Sequence, residues 1–311
     1  MRVVNDTQSH ERLKGRVGAA LATALEEPLA ARLYLVATPI GNLSDVSLRA
    51  LSVLARADLI AAEDTRRSGL FLSHFGIETA MLAYHDHNGP AQRPKLLEAL
   101  AEGRSVALIS DAGTPLISDP GYKLLQEVRA HGFEVEVVPG ASAVMAGLSL
   151  SGLPTDRFLF EGFLPPKSHA RLARLQGLAS IDASLVFFET VKRAPAFLKD
   201  VFTALGDRRV ALCRELTKLH EEVIEGSVSD VIAMLEGRPL KGELVVVVGP
   251  PLPADVTDDA LEAALRAAVE AGASMRDGVA EVVRATGAPK KRVYDLSLQL
   301  KKRLEAPSHE N

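Results

Sequence analysis

From residue 33 onward, short apolar runs of strand length alternate with stretches whose apolar positions recur at helical spacing. The runs 33–37, 58–62, 79–83, 106–110 and 134–138 predict strands, and 48–55, 70–74, 95–101, 122–131 and 142–150 predict helices between them. Each crossover is long enough to return the chain to a parallel neighbour, so residues 32–152 read as a mostly parallel sheet with helices on both faces. After Gly152-Leu-Pro-Thr155 the rhythm restarts, with strands over 158–163, 184–188, 209–214 and 243–249 and helices including 194–205 and 230–235. A second α/β domain over residues 153–252 follows, and the junction of two such domains is a common ligand cleft. The Pro-rich Gly249-Pro-Pro-Leu-Pro-Ala254 reads as a linker.

The two ends differ from this rhythm. Residues 1–31 are polar and then Ala-rich, an N-terminal extension with a short amphipathic helix around 17–25. In residues 253–311 a helix starts at Ser274 and carries Val279, Val282 and Val283. Gly287 stops it, and a second helix follows Pro289 through Val293, Leu296, Leu298 and Leu300. Helix, Gly-containing turn, helix predicts a small C-terminal helical segment like a helix-turn-helix. It gathers Lys290, Lys291, Arg292, Lys301, Lys302 and Arg303 against one acid, Asp295. That charge suits RNA phosphates, and equally a solvated or dimerising face.

Composition narrows the class. A chain of 311 residues, 47% hydrophobic, can bury more than one core. The longest apolar runs, such as Leu244-Val-Val-Val-Val248, are strand-sized, so no membrane span and no signal peptide are expected. One cysteine, Cys213, excludes an internal disulfide and a thiolate zinc cage, and fits a cytoplasmic protein. A net charge of −4 leaves nucleic-acid contact to a local patch.

Candidate chemistry gathers at the ends of the first-domain strands. Ser110-Asp-Ala-Gly-Thr-Pro-Leu-Ile-Ser-Asp-Pro-Gly121 follows the fourth strand as a rigid Gly- and Pro-bearing loop bracketed by Asp111 and Asp119, where ligands collect. It also reads as a helix entry with Asp119 as N-cap and Pro120 first in the helix. Thr38-Pro-Ile-Gly-Asn-Leu-Ser-Asp45 ends the first strand, with Asn42 and Asp45 as a hydrogen-bonding edge or as helix caps. Glu63, Asp64 and Arg66 end the second strand: either acid could take a substrate proton, or pair with Arg66 and cap the next helix. His85-Asp-His-Asn88 lacks a third metal ligand, so no metal is expected and His85 and His87 are assigned to substrate contact. Val138-Pro-Gly-Ala-Ser-Ala143 opens a helix with exposed amides. The dinucleotide, Walker, zinc-protease and nucleophile-elbow fingerprints are absent.

With these motifs, together with Glu161-Gly-Phe-Leu-Pro165, Arg214-Glu-Leu-Thr-Lys218 and Lys241-Gly-Glu243, the chain over residues 32–304 resembles the tetrapyrrole methylase superfamily, in its ribosomal RNA branch. The resemblance implies S-adenosyl-L-methionine folded in the interdomain cleft, held largely by backbone atoms around Pro39, Asp111, Gly113, Thr114, Ile117, Ala141 and Ser142. It implies 2′-O-methylation of a cytidine ribose in 16S ribosomal RNA of the small subunit, by a cytoplasmic homodimer. Glu63, Asp64 and Lys218 are then the candidates for activating the hydroxyl; Asn42, Arg66, His85, His87, Lys290, Lys291 and Arg292 are the candidates for gripping RNA. The first loop departs from the superfamily's glycine-rich form, and Pro-Gly-Ala-Ser stands where some relatives have Pro-Gly-Pro-Cys. Two rivals share these features in part: a methyltransferase of tetrapyrrole carbon, and a non-catalytic nucleic-acid binder.

Overall fold

The computed structural model describes residues 7–251, 257–286 and 288–305. The Gly287 stop and the linker's residues 252–254 therefore lie outside the described residues. A helix α1 (Thr7–Glu26) precedes the first domain, longer than its apolar pattern implied, and its carboxyl end lies along α2 (Leu48–Arg56), where Ser52 donates to the Ala24 carbonyl.

The first domain runs β1 (Leu33–Val36), α2, β2 (Leu59–Ala62), α3 (Thr65–His74), β3 (Met81–Ala83), α4 (Gly89–Ala101), β4 (Val106–Ile109), α5 (Tyr122–Ala130), β5 (Val135–Val138) and α6 (Ala143–Leu150). Its five strands pair in parallel, in the order β3-β2-β4-β1-β5. β1 and β4 are buried at every residue, as strands covered on both faces must be. The chain leaves β1 toward β2 on one side and leaves β4 toward β5 on the other. The strand order thus reverses between β1 and β4, and their carboxyl ends frame the crevice where open α/β sheets bind ligands.

The second domain contains β6 (Phe158–Phe163), α7 (Ser168–Gly177), β7 (Ser184–Thr190), α8 (Ala194–Leu205), β8 (Arg209–Arg214), β9 (Glu222–Ser227), α9 (Val228–Leu235) and β10 (Glu243–Val248). Its sheet has the order β6-β7-β10-β8-β9, and only β6 and β7 run parallel. The mostly parallel pairing expected of both sheets is thus found in the first alone. The cause is β9, which pairs antiparallel with β8 through a loop too short for a crossover; its sequence, Glu-Val-Ile-Glu-Gly-Ser, is too polar to read as a strand.

Although contiguous with the first domain, α6 packs on the second sheet. Val144 and Leu148 join Val186, Ala211, Cys213 and Val245 in one buried cluster. A Cβ at Gly147 would fall 2.6 Å from Val245 Cγ1, so only glycine permits this approach. The shared core fixes one face of the cleft against the other.

Among the described residues, three helices and not two follow the second domain: α10 (Asp258–Glu270), α11 (Met275–Thr286) and α12 (Lys290–Glu305). Leu261, Leu265, Val279, Val282, Val293, Leu296 and Leu300 make a core of their own.

Candidate active site

The loops after β1 and β4 are stitched together. Thr38 and Gly113 exchange backbone hydrogen bonds of 2.9 and 3.0 Å, and the Thr38 hydroxyl reaches the Ser110 carbonyl. Gly113 has φ +82°, and the loop holds Leu116 at +76° and Ser118 at +65°, conformations uncommon for side-chain-bearing residues. Such strain concentrates at binding sites. The loop's exit also corrects the capping expectation: Gly121 (φ +129°) stands at the N-cap of α5, and a Cβ there would lie 2.8 Å from Leu108 Cδ2. Asp119, freed from capping, faces the cleft.

That cleft measures about 410 Å3 and lies between the two domains. The first domain contributes Glu63, Asp111, Gly113, Thr114, Ile117, Asp119 and Ser142; the second contributes Phe163, Phe188, Glu189, Leu244 and Val245. Ala141 is held at its edge, its carbonyl accepting from the Thr114 hydroxyl at 3.1 Å. Ser142 caps α6 by accepting from the Met145 amide.

The acids form a braced cluster. Asp111 accepts from the Asp64 amide at 3.0 Å and from Arg67 at 3.0 Å, while its own amide donates to Glu63 at 3.4 Å. Burial raises the Glu63 carboxyl above its ordinary range, reinforced by the charges of Asp111 and Asp86. Burial likewise raises Asp119 to about 6, outweighing its hydrogen bond with Ser110. Across the cleft, Glu189 is 3% exposed, and burial raises it too. One of its oxygens accepts from the Thr190 amide at 2.7 Å, and the other, Oε2, has no partner within the protein. Three carboxyls whose pKa values burial raises face one cavity, and a cationic ligand bound there would favour their charged forms.

The other candidates are placed differently. Asp64 caps α3 and grips Arg66 through bonds of 3.0 and 2.7 Å. Its hydrogen bonds with Arg66 hold its carboxyl far below the usual range, so it is a weak proton acceptor, and neither residue lines the cleft. Pro39 lines a smaller recess beside the cleft. Asn42 is exposed and caps a turn by accepting from Ser44. Lys218 bonds Glu215 at 3.0 Å and Glu243 at 2.8 Å. Burial pulls its pKa down, but the bonds and charges of those two acids outweigh this and hold it raised, hence protonated. Its loop presses on Gly41, where a Cβ would meet Lys218 Cγ at 2.6 Å and the Leu216 carbonyl at 2.9 Å.

His85 and His87 stand 6.0 Å apart, centroid to centroid, outside the cleft lining. Lys290 and Lys291 are exposed on α12, whereas Arg292 pairs with Asp258 at 2.8 Å and Arg303 pairs with Glu262. The unanticipated α10 therefore offsets part of the basic patch. Phe188 went unmarked in the sequence because nothing in a strand's alternation separates a cleft-facing side chain from a core one, and Arg67 because it sits within α3 rather than on a loop.

Residues 32–232 match the family model described as Tetrapyrrole (Corrin/Porphyrin) Methylases, and residues 255–301 match the RsmI C-terminal HTH domain. The chain belongs to the tetrapyrrole methylase family. Among its relatives, Ribosomal RNA small subunit methyltransferase I of Mesorhizobium japonicum is 48% identical over 279 residues, spanning 88% of this chain and 94% of that one. The protein of the same name from Synechocystis is 42% identical over 272 residues, spanning 86% and 98%. In fold, the chain is similar to uroporphyrin-III-C-methyltransferase from Thermus thermophilus (TM-score 0.51, 23% identity, 70% of this chain and 94% of that). It is also similar to diphthine synthase (TM-score 0.56, 18% identity, 70% and 89%). One scaffold thus carries enzymes of different names, and the acceptor must be argued from the site.

Proposed function

We propose that this chain uses S-adenosylmethionine to methylate the ribose 2′-hydroxyl of a cytidine in 16S ribosomal RNA, acting on the small ribosomal subunit. The observation that carries the reading is the 48% identity to a ribosomal RNA small subunit methyltransferase across 88% of the chain. The match extends to the C-terminal helices, 255–301. The reading takes the enzyme to be cytoplasmic and a homodimer, the latter supported by Val137, Met145 and Leu150, half-exposed apolar side chains on β5 and α6.

The cleft suits the cofactor. S-adenosylmethionine supplies a methyl group on a positively charged sulfur. Glu63, Asp119 and Glu189 provide negative charge for a cation, and Phe163, Phe188, Leu244 and Val245 provide apolar faces for a flat ring. The Thr38–Gly113 backbone pair and the braced Asp111 keep the floor rigid, which serves transfer by alignment. In this reading Glu63 takes the hydroxyl proton, a role supported by its facing the cleft and by the burial that raises its pKa above that of an exposed glutamate. Lys218, held protonated between two acids, contributes a positive field and no base.

Calorimetry with S-adenosylmethionine, followed by radiolabelled methyl transfer to small subunits and to a porphyrinogen, tests this reading. Label in the ribosomal RNA supports it. Label in the porphyrinogen alone would assign the tetrapyrrole reaction, and cofactor binding with no transfer to subunits would contradict the proposed acceptor.

A further inference from the structure

Beside the main cleft lies a second recess of about 140 Å3. The two share Arg67 and Asp111, whose ion pair of 3.0 Å forms the wall between them. Pro39, Leu43 and Phe71 supply apolar faces. Ser68, on α3 and 4% exposed, also lines the recess, and its hydroxyl has no partner within the protein. A serine inside a helix has a ready acceptor in the carbonyl four residues back. Here the Asp64 carbonyl accepts only from the Ser68 amide, so a buried hydroxyl is left unused at the wall of a cavity. Leaving such a group unsatisfied costs stability, and a ligand atom that bonds it removes that cost.

Group transfer between two molecules requires two adjoining sites whose reacting atoms meet at about 3 Å. A single buried water needs roughly 10–15 Å3, so the recess holds several times that, enough for one planar base and too little for the whole cofactor. Bases taken out of a stack are held against aromatic faces and by hydrogen bonds to their edges.

We propose that this recess is the acceptor subsite: it takes one extruded RNA nucleoside, the base between Pro39 and Phe71 and hydrogen-bonded by Ser68, with the ribose at the Arg67–Asp111 wall facing the cofactor. The proposal rests on the RNA reading above. It makes Ser68 a binding residue for the nucleoside, not for the cofactor.

Two variants test it. Ser68→Ala removes only the unpaired hydroxyl, and Leu43→Trp fills the recess from a position that is 38% exposed, where added bulk is tolerated by the fold. Thermal unfolding, calorimetric affinity for S-adenosylmethionine, and KM and kcat on small subunits are measured for each. Expected are unfolding temperatures at or above wild type for Ser68→Ala, cofactor affinity within about twofold for both, a KM raised about tenfold in Ser68→Ala, and transfer lowered about a hundredfold in Leu43→Trp. Unchanged KM and kcat in both variants would overturn the proposal. So would a cofactor affinity that falls in step with transfer, since the recess would then belong to the cofactor.

If the wild type does not methylate small subunits, the RNA reading fails separately, and the recess is judged by saturation-transfer NMR with cytidine. Binding to wild type that disappears in Leu43→Trp upholds the nucleoside site. Binding by neither protein, or equally by both, overturns it.

Discussion

Thr38 and Gly113 donate a backbone hydrogen bond to each other, joining the loops after the two central strands of the first sheet. The pairing works because Gly113 adopts φ +82°, and its missing side chain leaves room for Ile40, whose Cγ2 would stand 3.3 Å from a Cβ. Gly113→Ala is expected to lower stability by about 1–2 kcal/mol, the cost of a left-handed conformation for a residue with a Cβ. It should also weaken S-adenosylmethionine binding. Urea unfolding with an unchanged slope and a lower midpoint, alongside calorimetry, checks both effects.

Protonation of the cleft sets a pH dependence. Asp119 titrates at about 6 when folded against an ordinary 3.8, so between those values the folded protein keeps a proton that the unfolded chain has lost. Its contribution is therefore greatest below pH 4 and is lost as the pH rises through 6. Asp119→Asn should remove this trend and raise stability above pH 7 by at most about 3 kcal/mol. Deprotonation of Asp119 makes binding of a cation tighten as the pH rises through 6. S-adenosylhomocysteine, which lacks the sulfonium charge, should show a shallower rise. Equal pH slopes for the two ligands in calorimetry would disprove this role for the carboxyl.

Three ionisable groups that the sequence alone ranked together now separate. Glu63→Gln is expected to slow single-turnover methyl transfer about a hundredfold with cofactor affinity nearly kept. Asp64→Asn should stay within a few-fold, because asparagine also caps α3 and Asp64 lies outside the cleft lining. Lys218→Met should alter binding more than rate, since it leaves Glu215 and Glu243 unpaired beside the cleft. A rate loss in Asp64→Asn as large as in Glu63→Gln would reverse this order.

Legibility in the sequence followed the physics of each segment. The central strands β1 and β4 are buried on both faces and read as continuous apolar runs. Their loops announced themselves through Gly113, Gly121 and Pro39, where backbone geometry demands particular residues. β9 was missed because an edge strand with Glu222 and Glu225 needs little apolar content, and α10 because its Ala-rich pattern is weak. Asp119 misled as a cap: Asp-Pro-Gly is a sound helix entry locally, and only packing against Leu108 moves the entry to Gly121. Glu189 reads in the sequence only as a charge at a strand edge, equally a structural ion pair, and the fold turns it toward the cleft while its Oε1 also pairs with Arg193.

The C-terminal helices have a separate core, so a chain ending at residue 251 should keep its cofactor affinity. Binding to small subunits should weaken about tenfold or more and depend less steeply on salt, because Lys290 and Lys291 on α12 are removed. Filter binding across a salt series measures this. An unchanged slope would assign the segment to assembly and not to RNA.

The central claim, methyl transfer from this cleft to a ribose hydroxyl of ribosomal RNA, is tested most directly by nucleoside mass spectrometry. Small subunits lacking the modification are incubated with the protein and S-adenosylmethionine, and their 16S RNA is digested to nucleosides. The account requires one new species, 2′-O-methylcytidine, approaching one per subunit and absent with Glu63→Gln at the same time point. Methylation on a base, or RNA unchanged while the cofactor binds, would contradict it.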